Sequence, residues 1–327
     1  SFEEAARRWL ALQEDSWRPK HCAEVTRRIE DNLLPSLGPL ALDDIKPKHL
    51  LDILRQVQER GAIEVAHRLR GYTSNIFEMA IAEGEVEIDP AASIAKALKP
   101  KQSRKYPALV EIERCREFLQ RFEALPAYPQ VKLASRLMAL TAARSGPVRM
   151  AQDHEFEGLD TDQPIWRIPA AKMKLSKAEA QSEQNDFVIP LATQTVELVR
   201  LAIERTWPRP YLFSSIRYSH RPITDMAISK PYGQVPGFEG RHVPHGWRSS
   251  FSSIMNQIAA DEGRQGEREI IDLMLAHRPA GVEATYNRAA YMPQRRRIAQ
   301  AWADLLLQDQ ISPQELVEGP RKRQPTR

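Results

Sequence analysis

Residues 165–190 read IWRIPAAKMKLSKAEAQSEQNDFVIP, and they contain the clearest strand pattern in the chain. The two ends, 165–169 and 187–190, are short runs rich in β-forming residues, and the segment between them is polar. Two such runs on either side of a turn segment predict a β-hairpin with a long loop. A shorter run around Phe156 and Leu159 is a candidate third strand.

Outward from this stretch, the apolar residues recur at helical spacing on both sides. The predicted helices before the hairpin are 2–14, one from about 20, 48–58, 64–83, 110–122 and 131–141. Those after it are 193–206, 222–230, 247–260, 266–276, 281–289 and 293–308. We therefore predict a mainly α fold with a small β-hairpin or three-stranded sheet. No repeat of 20 to 50 residues is visible, which excludes a solenoid.

The length of 327 residues predicts two domains. The composition changes at DPAASIAKALKPKQSRKYP, residues 89–107, which is rich in proline and basic residues. We predict a helical domain over 1–95, a basic linker over 96–108, a second domain over 109–310 and a polar basic tail over 311–327. Two interpretations of the linker stay open, a solvated spacer or a strap along a phosphate backbone.

The net charge limits how this protein can meet nucleic acid. Forty-seven Lys and Arg residues against 43 Asp and Glu residues give a formal charge of +4. Arg321, Lys322, Arg323 and Arg327 supply four positive charges, so the rest of the chain is neutral. A uniformly basic body is excluded, and any contact with nucleic acid must use local patches.

The cysteines and the termini indicate the compartment. Cys22 and Cys115 are far apart and neither belongs to a CxxC motif, so neither a disulfide framework nor a zinc site is predicted. No apolar run approaches the roughly 18 residues of a membrane helix, and no signal peptide is evident. We expect a cytoplasmic protein without a membrane partner. The chain opens directly on a helix with Ser1 as its cap, from which we expect a preceding segment to be missing.

Several nucleotide and metal motifs are absent, among them GxxxxGK[ST], GxGxxG, HExxH and the EF-hand loop. The chain instead carries separated cations and one tyrosine. They are Arg144 in LTAARSGPVRM, Lys174 in AAKMKLS, His245 and Arg248 in HGWR, His277 in LMLAHRP, and Tyr286 in TYNRAAY. Each has an ordinary structural explanation alone, such as a surface ion pair, a helix-end histidine or a core tyrosine. Their order along the chain is more informative.

In that order they resemble the tyrosine recombinases, the phage-integrase family of DNA breaking and joining enzymes. The matching stretches are LTAARSG, WRIPAAKMK, HGWR, LAHRPAGVEATYNRAAY and RRRIAQAWADLL, closest to integrases of prophages and genomic islands. The resemblance extends through the first domain, which looks like the family's helical core-binding domain. The family's N-terminal arm-binding domain has no counterpart here.

The resemblance implies a role for each residue. Arg144 and Arg248 would hold the non-bridging oxygens of a phosphodiester, since guanidinium groups match phosphate geometry and stay charged. His277 would add a donor and His245 would assist proton transfer. Tyr286 would attack phosphorus, giving a 3′-phosphotyrosyl link and a free 5′-hydroxyl. Neighbouring cations would lower the pKa of its phenol, which is otherwise near 10.

The family's general acid for the departing 5′-oxygen matches Lys174, which we favour over the nearby Lys172 and Lys177. Because the phosphotyrosine conserves the bond energy, no cofactor and no metal are predicted. His242, three residues before His245, invites interpretation as a metal pair, but no carboxylate or cysteine motif accompanies it.

The sequence departs from the family pattern at three places. Pro147 stands where an acidic residue usually follows the first Arg by three positions, and Ala142 stands where Gly is common. The hairpin loop 175–186 is longer than usual. Pro147 favours a second hypothesis, a catalytically weakened accessory or regulatory DNA-binding protein. A third hypothesis is a DNA-relaxing enzyme that resembles type IB topoisomerases.

The resemblance also predicts partners. These are double-stranded DNA attachment sites, a homo-tetramer on paired sites formed from free monomers, and an accessory directionality factor, all at the nucleoid. The candidate DNA-binding residues are Arg18, Lys20, Arg27, Arg68, Arg70, Lys99, Lys101, Arg104 and Lys105. The apolar face of Ile298, Trp302, Leu305 and Leu306 would dock on a neighbouring protomer or pack inside its own domain, and both alternatives stay open.

Overall fold

The computed structural model describes residues 1–101, 106–264, 266–277 and 291–321. The chain folds as two compact units. The first comprises Ser1–Arg104 with Ser176–Ala178, and the second comprises Lys105–Leu175 with Glu179–Arg327. Each unit has its own apolar core. The predicted helix over 281–289 lies outside the described residues.

The first unit consists of helices and turns. Its helices are α1 (Phe2–Glu14), α2 (Pro19–Asn32), α3 (Leu34–Leu37), α4 (Pro47–Glu59) and α5 (Ile63–Ala82). Ser1 and Glu4 form a capping box at the start of α1, and proline occupies the first turn of α2 and α4, where its missing N–H costs nothing. α5 packs against both α4 and α1.

The first unit continues beyond residue 96, where the sequence predicted the linker to begin. Leu98 is buried in its core. The backbone N–H of Lys99 donates to Oε1 of Gln58 at 3.1 Å, and its carbonyl lies 2.9 Å from Nε2 of His67. These contacts hold the chain on α4 and α5 as far as Lys99. The backbone that carries the Lys99 side chain is therefore fixed.

The second unit is mainly helical with one small sheet. Its helices are α6 (Ile112–Glu123), α7 (Pro129–Thr141), α8 (Ser145–Arg149), α9 (Thr193–Thr206), α10 (Asp225–Tyr232), α11 (Gly246–Asp261), α12 (Glu267–Met274), α13 (Met292–Leu307) and α14 (Pro313–Glu318). α7 is the central helix, since its residues from Val131 to Leu140 are all buried. Several other helices of the unit pack around it.

The sheet contains the predicted hairpin, residues 165–190. Strands β1 (Phe156–Glu157), β2 (Ile165–Ile168) and β3 (Phe187–Pro190) pair antiparallel in that order. Trp166 faces the core from β2, stacked on Phe156 with ring centroids 5.3 Å apart. The predicted fold class, mainly α with a small three-stranded sheet, is confirmed.

The C-terminal segment differs from the predicted polar tail. Residues 313–318 form α14, and its Leu316 and Val317 are buried in the core of the second unit. Nη1 of the buried Arg136 donates to the Ile311 carbonyl at 2.7 Å, and Nζ of the buried Lys132 donates to the Pro320 carbonyl at 2.7 Å. The core therefore extends past residue 310, because two cations satisfy backbone carbonyls of this segment.

The apolar face of α13 also packs internally. Ile298, Trp302 and Leu306 are fully buried, and Nε1 of Trp302 donates to the Ala139 carbonyl of α7 at 2.9 Å. Of the two alternatives for this face, the structure shows packing within its own unit.

Two negative findings apply to the part of the chain that the structure describes. No helix there is long and apolar enough to cross a bilayer. No group of three or more His, Cys, Asp or Glu side chains there could hold a metal ion.

Candidate active site

Arg248 lies at the centre of the site and joins three helix ends. It belongs to the first turn of α11 and is only 6% exposed. Its Nη1 donates to the Ala142 carbonyl at 2.9 Å, and its Nη2 donates to the Leu275 carbonyl at 2.5 Å. Nη2 also lies 3.3 Å from Nε2 of His277. The guanidinium is thus fixed between the ends of α7, α11 and α12.

The partners of Arg248 are backbone carbonyls at the C-terminal ends of α7 and α12, where the helix dipole is negative. No ion pair joins Arg248 to a carboxylate among the described residues. Burial, then the charge of Arg144, lowers the pKa of Arg248 to about 10, so it remains charged at neutral pH. The backbone carbonyls fix the position of the guanidinium but do not neutralise its charge, so the group can still bind an anion.

Arg144 is placed by the break between α7 and α8. Ala142 ends α7 in the left-handed conformation with φ of 49°, which explains why glycine suits this position. Arg144 is the residue that directly precedes α8. Its side chain is half-buried, and burial lowers its pKa. Ser145 Oγ donates to Oδ1 of Asp225 at 2.8 Å, and this bond ties the start of α8 to α10.

His245 precedes the first residue of α11 and is exposed to solvent. Its pKa is lowered mainly by burial, and further by the charges of Arg248, Arg144 and His277. Its ring lies against that of Tyr106, with centroids 4.7 Å apart and an interplanar angle of 55°. An imidazole with a lowered pKa is neutral at pH 7 and can accept a proton.

His277 follows α12, where Ala276 adopts φ of 52° and turns the chain. Its Nδ1 lies 3.4 Å from Oδ1 of Asp272, while Nε2 faces Arg248. The contact with Asp272 orients the imidazole from the side opposite Arg248. Sequence patterns did not predict Asp272, although an acidic residue five positions before the histidine was the available signal.

The structure separates the lysines of the hairpin. Nζ of Lys172 forms an ion pair with the buried carboxylate of Glu155 and also donates to Oε1 of Gln152 at 3.2 Å. Glu155 in turn accepts from Nε1 of Trp166 at 3.0 Å. Lys174 is exposed and has no hydrogen bond or ion pair with a described residue. Lys172 is therefore engaged in the core, whereas Lys174 stays the predicted general acid.

The structure brings four predicted residues together, namely Arg144, His245, Arg248 and His277. Among the described residues, no hydrogen bond or ion pair links Lys174 to them. Tyr286 lies outside the described residues. Pro147 is buried in α8, so this position offers no carboxylate to the site.

His242 belongs to an aromatic cluster and not to a metal pair. It is 1% exposed, and its ring lies 4.6 Å from that of Trp247 and 4.7 Å from that of Phe118. Its Nδ1 accepts the Leu109 N–H at 3.3 Å. Burial lowers its pKa to about 3, so the ring is a neutral core group.

The candidate DNA-binding cations differ in their engagement. Lys20 and Arg27 are exposed on α2 and have no ion pair with a described residue. Arg68 donates to Glu64 at 3.2 Å, and Lys101 lies 3.5 Å from the same carboxylate. Arg70 donates to the Ala91 carbonyl at 3.2 Å, a bond within the first unit.

Four candidate DNA-binding residues remain. The side chain of Lys99 is exposed, and Arg18 is half-buried. Arg104 and Lys105 lie outside the described residues.

Comparisons with known proteins define the class. A family match to the phage integrase central domain covers residues 2–97. The prophage integrase IntZ of Escherichia coli K12 is 30% identical over 93% of this chain and 71% of its own. The integrase of Shigella phage Sf6 is 28% identical over 94% of this chain and 75% of its own.

Solved structures share the fold. The Tn1549 transposon integrase in complex with transposon right end DNA has a TM-score of 0.65 at 12% identity, covering 94% of this chain and 100% of that one. A lambda integrase tetramer bound to a Holliday junction has a TM-score of 0.63 at 18% identity, covering 84% of this chain and 77% of that one.

The chain belongs to the phage integrase family, and its fold is that of the tyrosine recombinases. It is an enzyme of DNA recombination, a site-specific integrase. The class predicted from the motifs HGWR and LAHRPAGVEATYNRAAY is confirmed.

Proposed function

We propose that this integrase cleaves and rejoins duplex DNA through a 3′-phosphotyrosyl intermediate, integrating or excising a mobile element. The observation that carries the proposal is the grouping of Arg144, Arg248, His245 and His277, in which neither guanidinium is paired with a described carboxylate. Two unneutralised guanidiniums beside two imidazoles match the needs of a phosphodiester under attack, where charge develops on the non-bridging oxygens.

The reaction balances without an external energy source. The phenol oxygen of Tyr286 forms a bond to phosphorus, and the bond from phosphorus to the 5′-oxygen breaks. The neutral ring of His245 takes up the phenol proton, and Lys174 donates a proton to the departing 5′-oxygen. The free 5′-hydroxyl of the partner strand later attacks the phosphotyrosine, which reverses each step and joins the new strand.

Arg144 and Arg248 act by position and charge. The backbone carbonyls that bind Arg248 fix the orientation of its guanidinium group before substrate binds. Little reorganisation is therefore needed when the phosphate binds. His277 completes the cluster, with Asp272 behind its Nδ1. The cations together lower the pKa of a nearby phenol and favour the nucleophilic phenolate.

The partner is duplex DNA carrying attachment sites, and strand exchange requires four protomers on two sites. Lambda integrase is a dimer on its core site and a tetramer on a Holliday junction, which supports an oligomer on DNA here. The free chain is expected to be a monomer at the nucleoid, and direction is expected to depend on an accessory factor.

The decisive experiment uses a nicked suicide substrate that loses the 5′-hydroxyl strand after cleavage. The wild-type chain is expected to form a covalent protein–DNA adduct, and Tyr286→Phe is expected to bind the same DNA without forming one. Sequencing the attached strand identifies the site. An adduct formed by Tyr286→Phe, or none formed by wild type bound to its site, contradicts the mechanism.

Pro147 supports a second candidate, a DNA-binding regulator with weakened cleavage. The buried ring puts no carboxylate at this position of α8. Under this alternative, Pro147→Glu increases the cleavage rate of a nearly inactive wild type. An active wild type that gains nothing from the substitution excludes it. Relaxation of plasmids without paired sites would instead indicate a topoisomerase-like enzyme.

A further inference from the structure

Residues 106–109, which we call the entry segment, lead into the second unit and lie against the start of α11. The Leu109 N–H donates to Nδ1 of His242 at 3.3 Å, and the Leu109 carbonyl accepts from Oγ of Ser250. Sγ of Cys115 approaches the same carbonyl at 3.6 Å. Three side chains therefore bind the backbone of one residue.

The entry segment also approaches α11 at backbone distance. A Cβ atom built on Gly246 would lie 2.5 Å from the Pro107 carbonyl oxygen and 2.9 Å from the His242 ring. Gly246 lies between His245 and Arg248 in sequence, so the segment is packed directly against the turn that presents both. His242 and Ser250 are both fully enclosed, which leaves this backbone little freedom.

Tyr106, at the start of the entry segment, is 64% exposed, so burial does little to fix the position of its ring. Nevertheless the ring lies on the imidazole of His245. The pKa of His245 is lowered mainly by burial, and by charge it is lowered chiefly by the guanidinium groups of Arg248 and Arg144. Tyr106 is the neutral aromatic contact of His245, and such a tilted pair restricts the rotation of both rings.

We infer that Tyr106 is a positioning residue, held by the entry segment, which sets the orientation of the His245 imidazole for proton transfer. The inference rests on the proposed function, since it assigns a support to a residue of that site. It requires the aromatic ring of Tyr106 and not its hydroxyl. Sequence patterns gave no indication of it, because Tyr106 and His245 are 139 positions apart.

The first test is a double-mutant cycle on adduct formation in single turnover at saturating suicide substrate. Tyr106→Ala is expected to slow adduct formation on the order of tenfold, since an aligned proton-transfer group contributes about 100-fold or more. Tyr106→Phe is expected to stay within about twofold of wild type, because the ring contact carries most of the pair energy. In a His245→Ala background, Tyr106→Ala is expected to have no further effect.

Val110→Ala is the matched control, because Val110 is an exposed apolar side chain next to the same segment, and it is expected to leave the rate unchanged. Equal losses from Tyr106→Ala with and without His245 overturn the inference. So does a loss that is seen only at subsaturating DNA and is absent at saturation, which would make Tyr106 a DNA contact.

A second measurement needs no catalysis. Heteronuclear NMR of the His245 ring protons in the free chain is expected to show a ring-current shift in wild type and in Tyr106→Phe, and to lose it in Tyr106→Ala. An unchanged His245 signal in Tyr106→Ala overturns the inference. Failure of wild type to form any adduct would instead count against the proposed function, while this spectrum still decides the placement of Tyr106.

Discussion

Lys172 and Lys174 are two positions apart and have different surroundings. Lys172 pairs with the buried Glu155, whereas Lys174 is exposed. We predict that Lys174→Ala lowers the cleavage rate on the order of 100-fold with unchanged stability, because it removes the proton donor. Lys172→Ala is predicted to lower the free energy of unfolding by about 3 kcal/mol, because it leaves the Glu155 carboxylate unpaired. Single-turnover cleavage and urea unfolding measure the two effects.

A modified substrate separates general-acid loss from other damage. When sulfur replaces the bridging 5′-oxygen, the leaving group departs as a thiolate and needs no proton. The Lys174→Ala rate is expected to approach that of wild type on this substrate. If it stays equally slow, or if Lys172→Ala is the variant rescued by sulfur, the assignment of Lys174 is wrong.

The family resemblance favoured Lys174 over Lys172, but the sequence did not show what either lysine contacts. Glu155 lies 17 positions before Lys172, and only the pairing of β1 with β2 brings its buried carboxylate to the hairpin. The same limit applies to Asp272 behind His277 and to Tyr106 on His245. A motif indicates candidate site residues, whereas the residues that support them depend on contacts made by the fold.

The start of α11 depends on a glycine at close backbone contact. Gly246→Ala would push a methyl group against the Pro107 carbonyl and the His242 ring, and it is expected to lower the free energy of unfolding by about 1–3 kcal/mol. Gly71, inside α5, is the control, since a Cβ there meets nothing within 4 Å. Gly71→Ala is expected to increase stability by about 0.5–1 kcal/mol through helix propensity. Losses of equal size in both variants would contradict the packing explanation.

Helix periodicity predicted most elements closely, as in α1 and in α9, because apolar spacing and caps act locally. The C-terminal segment was different. Leu316 and Val317 stand alone among polar residues, so the spacing of apolar residues carries almost no signal there. The segment folds because Arg136 and Lys132, distant in sequence and buried, bind its backbone carbonyls.

Acid stability of the second unit depends on His242. Burial lowers its pKa to about 3, whereas the unfolded chain takes up the proton near pH 6.5. Because the unfolded state binds more protons, stability is full above pH 6.5 and falls as the pH drops from about 6.5 towards 3. His242→Asn, which keeps an acceptor for the Leu109 N–H, is expected to reduce this dependence. Urea unfolding at pH 7, 5 and 4 checks it, and parallel curves for both proteins would refute it.

The near-neutral charge of the chain requires that its affinity for DNA come from a few exposed cations. Each phosphate contact releases counterions and adds about 0.9 to the slope of log affinity against log salt concentration. Arg27 and Arg28 are neighbours on α2, but Arg27 is exposed without a described ion pair, whereas Arg28 pairs with Glu24. We predict that Arg27→Gln reduces the slope by about 0.9 and that Arg28→Gln leaves it unchanged. Binding to a labelled duplex between 50 and 200 mM salt tests this. If the two variants have the same salt dependence of DNA affinity, the exposed Arg27 contributes no more counterion release than the paired Arg28. The prediction that Arg27 contacts a phosphate would then be wrong.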